Sequence, residues 1–240
     1  MFVTPETLIS NRRRPLSLLY RSEITVSRKS ALCLASTLGF VVVCACAKSS
    51  TSPSDSTTPS QITIGAPADS SGNGDPFGDA VPTYQQVYAS SSFGATTRRI
   101  TALTFPHTNT TTNNSANVIT PATYTFSLST TSRSVDGLDA ATLSNNLGSD
   151  NQSVFSGSLS GTPSNLVINL TTTFTYNPSA GNLLLTIAQT GATCCGGIFF
   201  DARNGTAGGL FSRAGTGVGV TGLGITGTAG YGLVTTFTVQ

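Results

Sequence analysis

The sequence predicts an all-β protein, an antiparallel, jelly-roll-like β-sandwich of about 8–10 strands. Short segments in which apolar and polar residues alternate recur through the C-terminal two thirds of the chain, separated by clusters of Gly, Asn, Pro and Ser. Charged residues make up only 9% of the 240 residues. Because a two-residue period places alternate side chains on opposite faces of a strand, these segments predict half-buried strands rather than helices.

One predicted strand is apolar on both faces, and two other segments are harder to assign. Leu183–Ile187 is apolar on both faces and is expected at the centre of a sheet. Asp136–Asn146 is the sole helical candidate and is interpreted as a loop with one turn, whereas Thr216–Gly232 fits either a flexible loop or glycine-rich edge strands. The predicted strands are Gln85–Tyr88, Ile100–Phe105, Tyr124–Leu128, Val154–Leu159, Leu166–Leu170, Thr173–Tyr176, Leu183–Ala188, Ile198–Phe200, Gly217–Val220 and Leu233–Val239.

The N-terminal region predicts export. Arg28 and Lys29 precede an apolar run, Ser30–Val43, which has the length of a secretory core of about 7–15 residues and is shorter than the roughly 20 residues of a transmembrane helix. The run ends in Val43-Cys44-Ala45-Cys46-Ala47, which resembles a lipobox with Cys46 as the lipidated residue. Ordinary signal-peptide cleavage after Ala47 is the alternative.

Three regions follow from this reading. Residues 1–45 are the signal region, and residues 1–25 within it are either an overlong gene prediction, with translation starting near Val26, or an unusually long basic segment. Residues 46–80 hold the anchor cysteine and a Ser/Thr/Pro/Gly-rich linker, and residues 81–240 form the sandwich. Acyl chains on Cys46 would hold the protein at a membrane. The predicted location is the outer membrane of the cell envelope, with a secreted protein as the alternative.

Charge excludes a nucleic-acid partner. Beyond Lys29 the chain has six Lys or Arg against eight Asp, so that part of the protein is mildly acidic. A nucleic-acid-binding surface needs a basic stripe, which Arg98 and Arg99 alone do not make.

Cys194 and Cys195 are predicted to form a disulfide between neighbouring residues. Signal cleavage removes Cys33 and Cys44 and lipidation occupies Cys46, which leaves these two with only each other. Adjacent Cα atoms are about 3.8 Å apart, below the usual minimum of about 4.4 Å, so the bridge is expected to be reducible. A rigid turn is favoured over a redox function, and two thiolates alone are not a metal site.

One segment has the oxygen donors of a calcium loop at alternate positions. Asp69, Asn73, Asp75 and Asp79 are the candidate ligands for Ca²⁺, although the twelfth position is Ala80 where an EF-hand requires Glu. The alternative, a polar, glycine-rich loop without metal, is the preferred interpretation. No cofactor is therefore predicted.

Catalytic residues are not predicted. Hydrolysis needs a carboxylate pair or a nucleophile with a partnered histidine, and His107 is the one histidine of the chain. It follows a predicted strand and is interpreted as an exposed turn residue, while Asp136, Asp139, Asp150 and Asp201 are isolated acids. For sugar binding, the candidate aromatic platforms are Tyr84, Tyr88 and Tyr231, with core or rim positions as the alternative.

Several segments, in order, resemble the ectodomain of PEP-CTERM sorting-domain proteins over about residues 76–240. They are Tyr84–Tyr88, Ile100–Phe105, Phe126–Thr131, Asp150-Asn151 before Val154–Gly157, and above all Phe174–Leu185 with its Tyr-Asn-Pro-Ser-Ala-Gly-Asn core. The resemblance implies export and an exopolysaccharide or biofilm setting. The chain departs from the family at Tyr231–Gln240, which has no Pro-Glu-Pro motif, apolar helix or basic tail, and the lipobox would replace that anchor.

The predicted function is therefore a non-enzymatic, surface-anchored envelope protein that is associated with matrix exopolysaccharide or is adhesive. Its partners are the membrane, through the lipid, and extracellular polysaccharide or other surface proteins. A carbohydrate-binding module, assisted by Ca²⁺, is the alternative, and a secreted hydrolase is the second alternative.

Overall fold

Alternating side chains build the sheets of this protein. A computed structural model gives the structure of residues 58–66, 71–108, 117–204, 209–216, 224–225 and 230–240, all within one compact unit, Pro53–Gln240. The strands of the described residues are β1 (Ser60–Ile64), β2 (Ser71–Asn73), β3 (Thr83–Tyr88), β4 (Arg98–Pro106), β5 (Ile119–Thr131), β6 (Gln152–Gly161), β7 (Asn165–Tyr176), β8 (Asn182–Thr190), β9 (Phe200–Asn204), β10 (Phe211–Thr216), β11 (Gly224–Ile225), β12 (Tyr231–Leu233) and β13 (Thr235–Val239).

The first sheet has four antiparallel strands in the order β1-β13-β4-β7. Its edge strand β1 shows that the sandwich includes Ser60–Ile64 and does not start at residue 81, because Ile62 and Ile64 alternate with polar residues and turn toward the core. The linker predicted for residues 46–80 is wrong for this part of the chain. The two predicted strands Leu166–Leu170 and Thr173–Tyr176 are one strand, β7.

The second sheet has six antiparallel strands in the order β11-β10-β3-β8-β5-β6. Its strand β8 lies between β3 and β5, and Leu183, Leu184 and Leu185 are all fully buried, which confirms the predicted central strand. A third, small sheet has the order β12-β9-β2. It was not predicted in full because β2 and β12 have only three residues each, too few to show a period.

The core lies between the two large sheets and confirms the predicted antiparallel β-sandwich. Tyr88 on β3 meets Phe237 on β13 with ring centroids 4.9 Å apart, and Phe126 on β5 meets Phe105 on β4 at 6.4 Å. Burial of each such side chain contributes about 1.5–3 kcal/mol. The sandwich is therefore held mainly by aromatic and aliphatic contacts between the sheets.

A polar segment covers part of the outer face of the six-stranded sheet. The predicted single turn within Asp136–Asn146 is a 3-10 turn at Leu143–Asn146. The Gln85 side-chain amide donates to the Leu143 carbonyl at 3.1 Å and its Oε1 accepts from Asn146 at 2.8 Å. These bonds satisfy buried polar groups and fix the segment on the sheet.

Several sequence predictions fall outside the described residues. These are the signal region, Cys46, residues 46–57 and 67–70 of the linker, the calcium candidate Asp69 and the predicted strand Gly217–Val220. Within the described ranges, no helix has both the length and the apolar character required to cross a bilayer.

Candidate functional site

Two of the calcium candidates bind an arginine. Asn73 Oδ1 and Asp75 Oδ2 accept hydrogen bonds from the Arg213 guanidinium at 2.6 and 2.8 Å. The same guanidinium lies 4.3 Å above the ring of Tyr231. A cationic side chain therefore occupies the position between the two oxygen donors, and the Arg213–Asp75 pair closes this part of the loop.

The fourth calcium candidate, Asp79, is exposed as a residue, but one oxygen of its carboxylate lies against Gly74. Partial burial of its carboxylate raises the pKa of Asp79, and the negative charge of Asp75 raises it further. The described residues contain no cluster of three or more His, Cys, Asp or Glu that could hold a metal.

The three tyrosines do not form a platform for a sugar. Tyr84 and Tyr88 are 0% exposed, so the structure removes both from the set of candidate ligand-binding residues. Tyr231 is partly exposed, but one face of its ring is covered by Arg213. Tyr84 and Tyr88 point into the core because alternate residues of β3 face opposite sides of the sheet.

Cys194 and Cys195 form a disulfide in the loop between β8 and β9, called here the cysteine loop (residues 191–199). Both cysteines are exposed, whereas the two glycines that follow them are buried. Gly196 N–H donates to Thr120 Oγ1 at 2.9 Å, and the Gly196 carbonyl accepts from Val118 N–H at 2.9 Å. A Cβ at Gly196 would lie 2.0 Å from the Val118 carbonyl oxygen, so glycine is required for this close approach.

The cysteine loop lies beside an open depression of about 210 Å³ that is lined by Ala80, Pro82, Gln189, Gly191 and Ala192. Gln189 fixes the wall opposite the loop: its Oε1 accepts from Val81 N–H at 3.0 Å, and its amide donates to the carbonyls of Asp79 (3.2 Å) and Pro76. The sequence did not single out Gln189, since its inward position becomes visible only from the register of β8 with β3 and β5.

His107 and Asp201 both make hydrogen bonds to backbone groups of neighbouring segments. His107 Nδ1 is 2.9 Å from the Pro163 carbonyl oxygen, and its ring packs against Phe200 with centroids 5.5 Å apart. Asp201 is fully buried and accepts from the backbone N–H and the hydroxyl of Thr108 at 2.8 and 2.7 Å. Asp136 and Asp139 accept from backbone N–H groups of loops, and Asp150 accepts from the Thr130 N–H of β5.

The open outer part of the six-stranded sheet carries small side chains in register, all of them hydroxyl-bearing except Ala188, and we call it the hydroxyl face. One row runs Ser156, Thr125, Ala188, Thr83 and Thr216 across β6, β5, β8, β3 and β10. A second row is Ser158, Thr123 and Thr190.

None of the residues of the hydroxyl face is charged, and those of β6 together with Thr123, Thr190 and Thr216 are exposed. Opposite residues of antiparallel strands share a face, so the longer row spans about 19 Å at a strand spacing of about 4.8 Å. The alternation of Tyr124, Phe126 and Leu128 with Ser and Thr was the sequence signal for this face, although the rows themselves depend on the register.

Comparison with protein-family models, with curated proteins and with solved structures gave no match for this chain.

Proposed function

We propose that this chain is an exported, surface-anchored and non-enzymatic β-sandwich protein of the bacterial envelope, whose hydroxyl face contacts a neutral extracellular polysaccharide. The observation that carries the proposal is the charge-free row Ser156, Thr125, Ala188, Thr83 and Thr216. Serine and threonine hydroxyls both donate and accept, as sugar hydroxyls do. A polyanion or polycation would find no complementary charge on this face.

Two further observations support export and anchoring. The apolar run that ends at Cys46 has the pattern of a lipoprotein signal. The bonded pair Cys194–Cys195 is exposed, and exposed disulfides persist in oxidising compartments such as the periplasm and the cell surface. A lipid at Cys46 would hold the sandwich at the membrane while leaving its outer faces free for the matrix.

Binding to purified polymers tests the contact. The full-length protein is expected to co-sediment with insoluble neutral polysaccharides and not with anionic ones. Thr125→Glu, which places a charge within the longer row, between Ser156 and Ala188, should weaken binding about tenfold or more, equivalent to about 1.4 kcal/mol. Thr236→Glu on β13 is the matched control, because Thr236 is a partly exposed threonine on the outer face of the other sheet.

The outcomes distinguish the parts of the proposal. Equal loss in both variants would contradict the assignment to the hydroxyl face, and no binding to any neutral polymer would contradict the ligand class. Metabolic labelling with a palmitate analogue tests the anchor separately: the label should appear on the protein and disappear in Cys46→Ala. Unlabelled wild-type protein would contradict lipid anchoring.

A further inference from the structure

The disulfide of the cysteine loop is exposed to solvent, whereas Gly196 and Gly197 are buried and hydrogen-bonded to neighbouring segments. The side chains of Cys194 and Cys195 are exposed, and the next two residues bind the start of β5 and the segment that follows β2. Besides the bonds of Gly196 described above, Gly197 N–H donates to the Gly78 carbonyl at 2.9 Å. The chain after the disulfide is therefore held on two sides.

We propose that Cys194–Cys195 is a reaction site for low-molecular-weight thiols, and that its reduction loosens the cysteine loop and reshapes the depression beside it. The thiolate of a first thiol attacks one Sγ, the bond between the two sulfurs breaks, and the other cysteine leaves as a thiolate that takes up a proton. A second thiol then attacks the mixed disulfide. The products are the two protein thiols and one disulfide of the small thiol, so electrons balance.

The adjacency of the cysteines decides which thiols are effective. After the first attack the released thiolate remains next to the mixed disulfide, at a high effective concentration, and returns the bridge to its closed form. Monothiols are therefore expected to give little stable adduct. Dithiols, whose second sulfur completes the exchange within the mixed disulfide, are expected to reduce the site at much lower concentration.

The consequence for the depression follows from the chain path. Gly191 and Ala192 line it on the side of the cysteine loop, and Ala80 and Pro82 line it on the opposite side. Gln189 holds the opposite side through the backbone of Val81, and this bond does not involve the disulfide. Opening the bridge therefore frees one wall of the depression while the other stays in place.

Hydrogen exchange of the full-length protein, measured by mass spectrometry before and after treatment with dithiothreitol, tests the proposal. Peptides covering residues 191–198 and 117–120 should exchange severalfold faster after reduction, while peptides covering β8 (Asn182–Thr190) stay unchanged. Cys194→Ser with Cys195→Ser should reproduce the reduced pattern without reductant. Thr193→Ala, at the exposed neighbouring position, should behave as the wild type.

A second measurement uses the native protein and needs no cysteine variant. A trivalent arsenical, which bonds two neighbouring thiols with loss of water, should add to the native protein only after dithiothreitol treatment and not before. Arsenical addition to Cys194 and Cys195 of the untreated protein, located by peptide mass to separate it from addition at Cys33, Cys44 or Cys46, would show free thiols and overturn the proposal. Reduction that occurs only in denaturant, or reduction without any change in exchange of the cysteine loop, would overturn it as well.

Discussion

The side chain of Gln86 pairs with the backbone of Leu233 as a neighbouring strand would. Its Oε1 accepts from Leu233 N–H at 2.8 Å, and its amide donates to the Leu233 carbonyl at 2.8 Å. Gln86 and Leu233 are both 0% exposed. One buried amide thus joins the six-stranded sheet to β12 of the small sheet.

Gln86→Leu should destabilise the protein, because it leaves the buried Leu233 N–H without its amide partner and leaves the Leu233 carbonyl with only the Thr235 hydroxyl at 3.2 Å. Each unsatisfied group costs about 1–3 kcal/mol. Urea unfolding measures the loss as a lower midpoint at unchanged slope. Gln61→Leu, at an exposed position on β1, is the control and should leave the midpoint nearly unchanged. Similar midpoints for the two variants would contradict a structural role of the amide.

Gly196→Ala should destabilise the cysteine loop. The added Cβ would meet the Val118 carbonyl oxygen at 2.0 Å and Thr120 N at 2.6 Å, both backbone atoms that cannot rotate away. Overpacking of this kind costs about 1–3 kcal/mol or more. Thermal unfolding measures it, and Ala192→Gly in the same loop serves as a control for altered loop entropy. A variant as stable as the wild type would mean that Gly196 does not approach β5 so closely.

Arg213 and Asp75 should show a measurable coupling energy. Their side chains are only 12% and 19% exposed, and the pair is 2.8 Å apart. A double-mutant cycle with Arg213→Met and Asp75→Asn is expected to give a coupling of about 0.5–3 kcal/mol.

The pair Arg133–Asp139 provides the comparison for that cycle. It is 3.9 Å apart with side chains 36% and 26% exposed, and should couple by less than about 1 kcal/mol. Equal coupling for both pairs would contradict the dependence on burial.

Two aspartates should change the pH dependence of stability in opposite directions. Burial and the charge of Asp75 raise the pKa of Asp79, so the folded state binds its proton more tightly than the unfolded state does. Stability therefore falls as pH rises through the interval between the two pKa values. Asp79→Asn removes this cost and should be more stable than the wild type at pH 7, with the difference vanishing at acid pH.

Asp139 should change the pH dependence of stability in the opposite direction. A hydrogen bond from Asn145 lowers its pKa, and the backbone N–H groups of Thr142 and Ala141 lower it further. The stabilisation is present above the unfolded-state pKa and is lost as pH falls through the folded-state pKa. Asp139→Asn should be less stable than the wild type at pH 7, and the two should converge at acid pH. Unfolding midpoints of both variants across pH 2–7 check the pair, and parallel curves would contradict the assignment.

The sequence predicted the long strands because their apolar period is visible in any single chain. β5, with Tyr124, Phe126 and Leu128 turned inward, is the clearest case. β1 was assigned to the linker because the Ser/Thr-rich tether runs directly into it, although Ile62 and Ile64 carry the same period.

The candidate site could be predicted only where residues are neighbours in sequence. The pair Cys194–Cys195 is such a case, and the structure joins the two in a disulfide. The other contacts depend on register between distant strands. Arg213 reaches Asn73 and Asp75 across 138 residues or more, and no local pattern encodes that approach.

The pairing of β1 with β13 has a mechanical consequence if the chain is pulled from its N-terminal side. β1 lies at the edge of its sheet, and among the described strands its neighbour there is β13, along five paired residues from Ser60 opposite Val239 to Ile64 opposite Thr235. Tension transmitted along the chain from before Ser60 would reach this ladder before it reached the other described strands. If the residue pairs of this ladder separate one after another, β1 detaches while the other strands remain paired. The freed residues of β1 then add to the length of the chain before the domain. Detachment of the edge strand would then extend the chain under force before the rest of the domain unfolds.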